Sequence, residues 1–238
     1  MTNSLRWKRI LLKLSGEALM GSQAFGIDPA IVQRIAKEIA DAVALGAQVG
    51  VVVGGGNIFR GVAVAAKGGN RVTGDHMGML GTVINALALG DAIRRQGGRS
   101  HVFTSVSMPS IADTFTQRGA IAAIESGSIV ICAGGTGNPF FTTDTASALK
   151  AIELRCDVLL KGTKVDGVYS ADPEKVPDAE HFTEISYNEV ISRNLRVMDT
   201  AAFALARDNR LPIIVYALDV AGGLVGVLEG QAKRTIVS

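Results

Sequence analysis

Four apolar runs of five or six residues each end in a glycine-bearing turn: Arg9–Leu14 in Ser15-Gly16, Gln48–Val53 in Gly54-Gly55-Gly56, Ser128–Ala133 in Gly134-Gly135, and Asp157–Lys161 in Gly162. Runs so short and so apolar read as strands covered on both faces. Helical spacing fills the segments between them. Asp28-Pro29 is a helix start, with a capping carboxylate before a proline at the first helical position. The stripe Ile31, Ile35, Ile39, Val43 follows, and Gly46 stops it. A second helix is expected to open at Asp75, carry Met79, Leu80, Val83, Ile84 and Leu87 on its apolar face, and close at Gly97-Gly98. Further on, a strand over 101–104, helices over 116–125 and 143–155, helical segments within 187–209 and a strand over 212–217 are predicted. The segment 162–182 is turn-rich, and the tail from 226 reads as a final hairpin. Alternating strands and helices imply an α/β chain, a three-layer α/β/α sandwich around a mainly parallel central sheet. A single domain over 1–238 is expected, with two lobes meeting near residue 145.

Composition narrows the function. Glycine supplies 28 of the 238 residues, well above the usual ~7%, and it gathers at strand ends where the chain must turn tightly or approach something closely. A net charge of +2 gives no reason to expect a nucleic-acid groove or a polybasic membrane anchor. Two cysteines, Cys132 and Cys156, cannot build a disulfide framework, so a reducing, cytoplasmic setting is expected. The apolar runs fall far short of the roughly 20 residues of a membrane span, and the basic start lacks the h-region of a secretory signal.

In open α/β sheets ligands sit beyond the carboxyl ends of the strands. Lys13-Leu14-Ser15-Gly16-Glu17 puts a lysine at the end of an apolar strand, where it either snorkels to solvent or sets an ammonium beside phosphate oxygens. Gly54-Gly55-Gly56-Asn57-Ile58-Phe59-Arg60-Gly61 is either a plain turn or an anion nest with an arginine fork. It matches neither the dinucleotide fingerprint nor the Walker A loop. Gly134-Gly135-Thr136-Gly137-Asn138-Pro139-Phe140-Phe141-Thr142-Thr143-Asp144 packs hydroxyls, an amide and two aromatic rings ahead of a helix N-terminus, which favours an anion. Asp144 is there either a helix cap or a charge-positioning group. Lys161-Gly162-Thr163-Lys164-Val165-Asp166-Gly167-Val168-Tyr169-Ser170-Ala171-Asp172-Pro173 sets another lysine behind another strand, and Lys164 itself is as easily a solvated surface residue. His76, His101 and His181 are scattered, without metal-ligand spacing. No nucleophile elbow occurs, and Cys132 reads as core.

These loops, in this order and together with Asn70-Arg71 and Gly74-Asp75-His76-Met77-Gly78-Met79, resemble the amino acid kinase family and, within it, the bacterial uridylate kinases. The likeness runs from about residue 8 to the tail, and the Thr136–Asp144 stretch is its most specific part. It implies ATP-dependent phosphorylation of UMP to UDP with Mg²⁺, the ion held mainly by nucleotide phosphates and not by protein side chains. Carried over motif by motif, Lys13, Leu14, Ser15, Gly16, Gly56, Arg60, Thr163, Tyr169 and Asp172 would contact ATP. Gly55, Asp75, Thr136, Gly137, Asn138, Pro139, Phe140, Phe141, Thr142 and Thr143 would hold UMP. Lys13, Asp144 and Lys161 would be catalytic. Gly21, Ser22, Gln23, Ala24, Phe25 and Gly26 match a segment linked to GTP binding. A cytoplasmic homohexamer, activated by GTP and inhibited by UTP, is implied, with no nucleic acid and no membrane.

The residues suit that chemistry. The second phosphate pKa of UMP lies near ~6, so the acceptor is already a dianion at neutral pH and needs no general base. Phosphoryl transfer then asks for positioning and charge stabilisation, which lysines and glycine N–H groups supply. Two alternatives stay open: a sister kinase acting on a carboxylate acceptor, and a non-catalytic nucleotide-sensing oligomer on the same scaffold.

Overall fold

The computed structural model of the chain describes residues 5–59, 68–195 and 197–238. β1 (Arg9–Leu14) lies inside a nine-stranded sheet, between β2 (Gln48–Val53) and β6 (Val158–Thr163). Beyond β2 come β5 (Ile129–Ala133), β3 (Ser100–Thr104) and β4 (Asp113–Thr114); beyond β6 come β10 (Ile213–Ala217), β11 (Arg234–Val237) and β9 (Glu184–Ile185). Every pairing is parallel except β10 with β11. The strand order reverses about β1, so the loops after β1, β2 and β6 open onto one crevice, the place where such sheets bind ligands. Register brings the key residues level: Leu14 faces Val53 across one pairing, and Lys13 faces Lys161 across the other.

Successive strand residues point to opposite faces, and both faces are covered. Leu12, Leu14, Val51, Val53 and Leu160 pack with α1 (Pro29–Ala44), α2 (Arg71–Arg95) and α7 (Gly223–Leu228). Leu11, Val52, Val130 and Leu159 pack on the other side with α3 (Gln117–Glu125), α4 (Thr143–Glu153), α5 (Tyr187–Ser192) and α6 (Thr200–Asp208). The result is the three-layer α/β/α arrangement the alternation implies. Helix α1 forms where its signals lie: Asp28 accepts the Ala30 N–H at 2.9 Å, Pro29 takes the first position, and Gly46 ends it at φ +97°.

Three expectations shift. Helix α2 begins at Arg71, not Asp75, because Asn70 caps it by accepting the Thr73 N–H at 3.1 Å. That helix is long and apolar enough by composition to cross a membrane, yet it lies along the sheet with 56% of its apolar window buried in the protein. The tail makes no hairpin of its own. It supplies α7 and then β11, which pairs antiparallel with β10 and parallel with β9, burying Ile236 and Val237. The turn-rich 162–182 segment contains a small ribbon, β7 (Val168–Tyr169) with β8 (His181–Phe182).

One buried contact anchors the crevice to α2. Asn57 and Asn85 exchange amide hydrogen bonds, Asn57 Nδ2 to Asn85 Oδ1 at 3.0 Å and Asn85 Nδ2 to Asn57 Oδ1 at 2.6 Å. Each nitrogen also donates outward, to the Gly26 and Gly54 carbonyls, both at 2.7 Å. Both side chains are out of water, so an unmatched amide here bears its full desolvation penalty. Asn85→Ala is therefore expected to lower stability by about 2–3 kcal/mol, read as a shift of the urea midpoint, whereas Ile84→Ala on the exposed face of the same helix is expected to stay within about 0.5 kcal/mol beyond propensity.

Candidate functional site

Lys13 ends β1 and is only 6% exposed. A buried ammonium demands a partner, and the partner comes from α4. Thr142 caps that helix, its hydroxyl accepting the Asp144 N–H at 3.0 Å and the Thr145 N–H at 3.3 Å. The first turn then carries Asp144 over the strand ends, where the helix dipole favours its negative charge. Its carboxylate meets Lys13 Nζ at 2.7 Å through Oδ1 and Lys161 Nζ at 2.8 Å through Oδ2. Burial by itself would push Asp144 up, but Lys13 and then Lys161 outweigh it and hold the carboxyl below its ordinary range. Burial, aided by Lys13, pulls the Lys161 ammonium below the usual lysine range although Asp144 opposes it. Lys161 also donates to the Val197 carbonyl.

Beside this triad the glycine turns press backbone on backbone. A Cβ on Gly16 would stand 2.7 Å from both the Gly54 carbonyl and the Gly56 nitrogen, and one on Gly55 would stand 2.5 Å from the Gly78 carbonyl of α2. Only glycine allows those approaches. Leu14 is core, and Ser15 caps the short 3-10 turn Gly16–Leu19 by accepting the Ala18 N–H. Arg60 lies outside the described residues.

The 134–144 loop is tied from both sides. Thr82 of α2 accepts the Gly134 N–H at 2.7 Å, and Ser105 donates to the Gly135 carbonyl at 2.9 Å. Asp75 accepts the Phe140 N–H at 2.8 Å and both of its oxygens take Arg71 Nε at 2.8 Å. Burial raises Asp75, but the Phe140 N–H and the Arg71 guanidinium prevail and hold it below the usual carboxylate range. Phe140 adopts φ +72° and leaves its ring 66% exposed, with Phe141 exposed beside it. Thr136, Gly137, Asn138 and Pro139 form the tight turn between, Asn138 N donating to Thr136 Oγ1 at 3.2 Å. Asp75 thus already holds this loop through its protein partners.

On the other side of the triad a cavity of about 680 Å³ is lined by Lys161, Thr163, Tyr169, Asp172, Asn194 and Val197, among others. Thr163 closes its own turn by accepting the Val165 N–H, and the Tyr169 phenol donates to Asp166 at 2.6 Å, with Lys233 reaching both. Asp172 is held low by Lys175 and the Glu174 N–H. A neighbouring cavity of about 480 Å³ joins Asp144 and Lys161 to Asn194, Val197, Met198 and Asp199. The Gly21–Gly26 segment is outside this cleft, its Phe25 ring 77% exposed, but Gly26 is clamped to Asn57 through both its N–H and its carbonyl.

The predicted loops therefore converge on one crevice. Sequence reasoning missed Thr82, Asn85, Thr145, Asp199 and the Val197 carbonyl. Asn85, an amide inside an apolar helical stripe, carried a readable signal; the Val197 carbonyl carried none. Cys132 is core, its thiol pushed up to about 12 by burial. Among the described residues no group of three or more His, Cys, Asp or Glu side chains is placed to hold a metal.

Comparisons with known proteins agree with this geometry. The description of the amino acid kinase family matches residues 8–217. The uridylate kinase of Brucella abortus is 60% identical over 238 residues, covering 100% of this chain and 99% of its own; that of Mesorhizobium japonicum is 58% identical over the same coverage. The solved UMP kinase of Ureaplasma parvum superposes with a TM-score of 0.93 at 34% identity, over 98% of this chain and 100% of its own. That of Bacillus anthracis gives 0.94 at 37% identity, over 98% and 96%.

A depressed carboxylate contributes stability that is complete above its unfolded pKa and is lost as pH falls through its folded value. For Asp144 the loss is accordingly expected below about pH 4, in urea titrations run from pH 7 downward. Asp144→Asn strands two buried cations, so it is expected to cost about 3 kcal/mol at neutral pH and to lack that acid limb; the deficit should narrow as pH rises, because burial already pulls Lys161 below the usual lysine range.

Proposed function

Since the chain belongs to the amino acid kinase family and groups there with the uridylate kinases, we propose that it transfers the γ-phosphoryl group of ATP to UMP, releasing UDP and ADP. The observation that carries this reading is the Lys13–Asp144–Lys161 triad, set at neighbouring strand ends beside backbone turns that only glycine permits. An oxygen of the UMP phosphate attacks the γ-phosphorus in line while the bond to the β,γ-bridging oxygen breaks and ADP departs. No proton has to be removed from a phosphate dianion, so a site without histidine suffices. What the protein must provide is alignment and charge stabilisation at the equatorial oxygens.

In this reading Lys13 bridges the two nucleotides, Lys161 faces the donor side, and Asp144 keeps both ammonium groups aimed. Ser15, Gly16 and Gly56 offer N–H groups and Arg60 a guanidinium to ATP, whose base and ribose side would occupy the cavity of Thr163, Tyr169 and Asp172. UMP would rest against Gly55 and the Thr136–Thr143 turn, near Asp75. The acceptor residues thus come from the part before about residue 145, whereas ATP would meet that part through Ser15, Gly16, Gly56 and Arg60 and the part after it through Thr163, Tyr169 and Asp172, the two lobes of one domain. A divalent ion accompanies ATP in kinases. Mg²⁺ keeps several waters and binds through phosphates, which fits a crevice whose nearest carboxylate, Asp144, is already committed to two lysines; when bound, the ion neutralises phosphate charge. The kinship also brings a setting into the proposal: a cytoplasmic homohexamer supplying UDP for pyrimidine nucleotide synthesis toward CTP, activated by GTP and inhibited by UTP. The clamp between Gly26 and Asn57 gives the Gly21–Gly26 segment a direct mechanical connection to the crevice.

A coupled assay of ADP release, with UMP, CMP, dUMP and acetylglutamate as acceptors, tests the reading. UMP is expected to give the highest kcat/KM; preference for acetylglutamate, or no turnover with any acceptor, would overturn it. Lys13→Ala is expected to lower kcat by about 10²–10³-fold with a smaller change in KM, and turnover near that of the unmodified protein would remove Lys13 from its role.

A further inference from the structure

Asp199 sits just ahead of α6 and belongs to none of the motifs above, yet it joins several parts of the site. Its carboxylate caps α6 by accepting the Ala202 N–H at 2.9 Å. The same group accepts the Thr145 hydroxyl at 3.0 and 3.1 Å and the Thr142 hydroxyl as well. Thr142 is the residue whose oxygen caps α4 and receives the Asp144 N–H. A threonine hydroxyl has one hydrogen to give. By taking it, Asp199 turns the Thr142 lone pairs toward the helix and fixes the cap. The chain of contacts runs from α6 through Thr142 to the residue that holds both lysines. Asp199 also lines the 480 Å³ cavity together with Asp144 and Lys161.

We propose that Asp199 is a positioning residue for the phosphoryl transfer: it fixes the amino end of α4, and with it Asp144, through Thr142 and Thr145. This rests on the transfer reading above. Among the described residues, the groups facing Lys161 are Asp144 from α4, Lys13 from β1, the Val197 carbonyl, and Asp199. Further round the larger cavity, Arg193 is paired with Glu189, Asp172 with Lys175, and the Tyr169 phenol with Asp166. Two negative groups among these oppose burial and Lys13 at Lys161, and Asp144 is the one bonded to both ammonium groups. Loss of the Asp199 charge lets the Lys161 proton leave at lower pH.

The test compares Asp199→Asn with Thr142→Val by kcat, KM and the pH dependence of kcat, alongside thermal unfolding. Asp199→Asn removes the charge at constant size; kcat is expected to fall by about 10–10²-fold, with KM for both nucleotides little changed and the alkaline limb of kcat moved to lower pH. Thr142→Val cuts the link but leaves the charge; kcat is expected to fall while the alkaline limb stays in place, and Thr142→Ser is expected to restore kcat. Asp199→Asn that folds and keeps both kcat and the limb of the unmodified protein overturns the proposal. If Asp199→Asn does not fold, Thr142→Val with unchanged kcat overturns it equally. Failure of the unmodified protein to phosphorylate UMP is a different result, and it would fall on the transfer reading instead.

Discussion

Two ammonium groups cannot be buried side by side without an anion between them. Lys13 and Lys161 face each other across adjacent parallel strands, and Asp144 stands within 2.8 Å of both. Removing such a carboxylate leaves charges in a medium that stabilises them poorly. Within the triad two cations stand against one anion, Asp199 adds a second negative charge beside Lys161, and all of these act strongly because water is scarce there. Asp144 is thus what permits the cations to wait, desolvated and aimed, before any nucleotide arrives.

The rest of the architecture can be understood as delivering that carboxylate to those strand ends. The sheet sets the lysines level through its register, and α4 must come down from the opposite layer in one orientation. Thr142 fixes the helix start, and the Lys150 ammonium, 3.5 Å from the Phe115 ring centroid and 2.8 Å from Glu153, secures the same helix two turns later. Beside the triad the paired amides of Asn57 and Asn85 hold the glycine turns against α2. Preorganisation here is a matter of buried hydrogen bonds whose loss is expensive, and it removes the reorganisation that a solvated site would need during the reaction.

Much of this was legible in the sequence because it follows short-range rules. Apolar runs ending in glycine marked β1, β2, β5 and β6, and Asp28-Pro29 and Gly46 marked the limits of α1. Lys13 and Lys161 stood out as charges behind apolar strands, and Asp144 as a carboxylate at a predicted helix start, either a cap or a charge-positioning group. What escaped depends on contacts between distant segments. Asn70 rather than Asp75 starts α2, and Asp75 is instead engaged by Arg71 and by the Phe140 N–H of a loop 65 residues on. β11 looks like half of a hairpin, but its partner is β10, whose edge is exposed until the tail arrives. Asp199 reads as an ordinary helix cap, and nothing in its neighbourhood in the chain reveals Thr142, 57 residues away.

The 134–144 loop differs in kind from the glycine turns beside the triad: its backbone passes through positive φ at Gly134, Gly135, Gly137 and Phe140, and it presents the exposed Phe140 and Phe141 rings. Phe140 lies at φ +72°, a region that costs a side chain about 1 kcal/mol or more. That strain persists because Asp75 clamps the Phe140 N–H while Arg71 neutralises Asp75 and lies 5.6 Å from the Phe140 ring centroid. The turns at Gly16 and Gly55, by contrast, press backbone on backbone where any Cβ would collide, and they do so without strain at a side chain. The crevice therefore concentrates glycine and lysine at its middle and keeps its strained, ring-bearing loop on the flank, where Thr82 and Asp75 of α2 brace it.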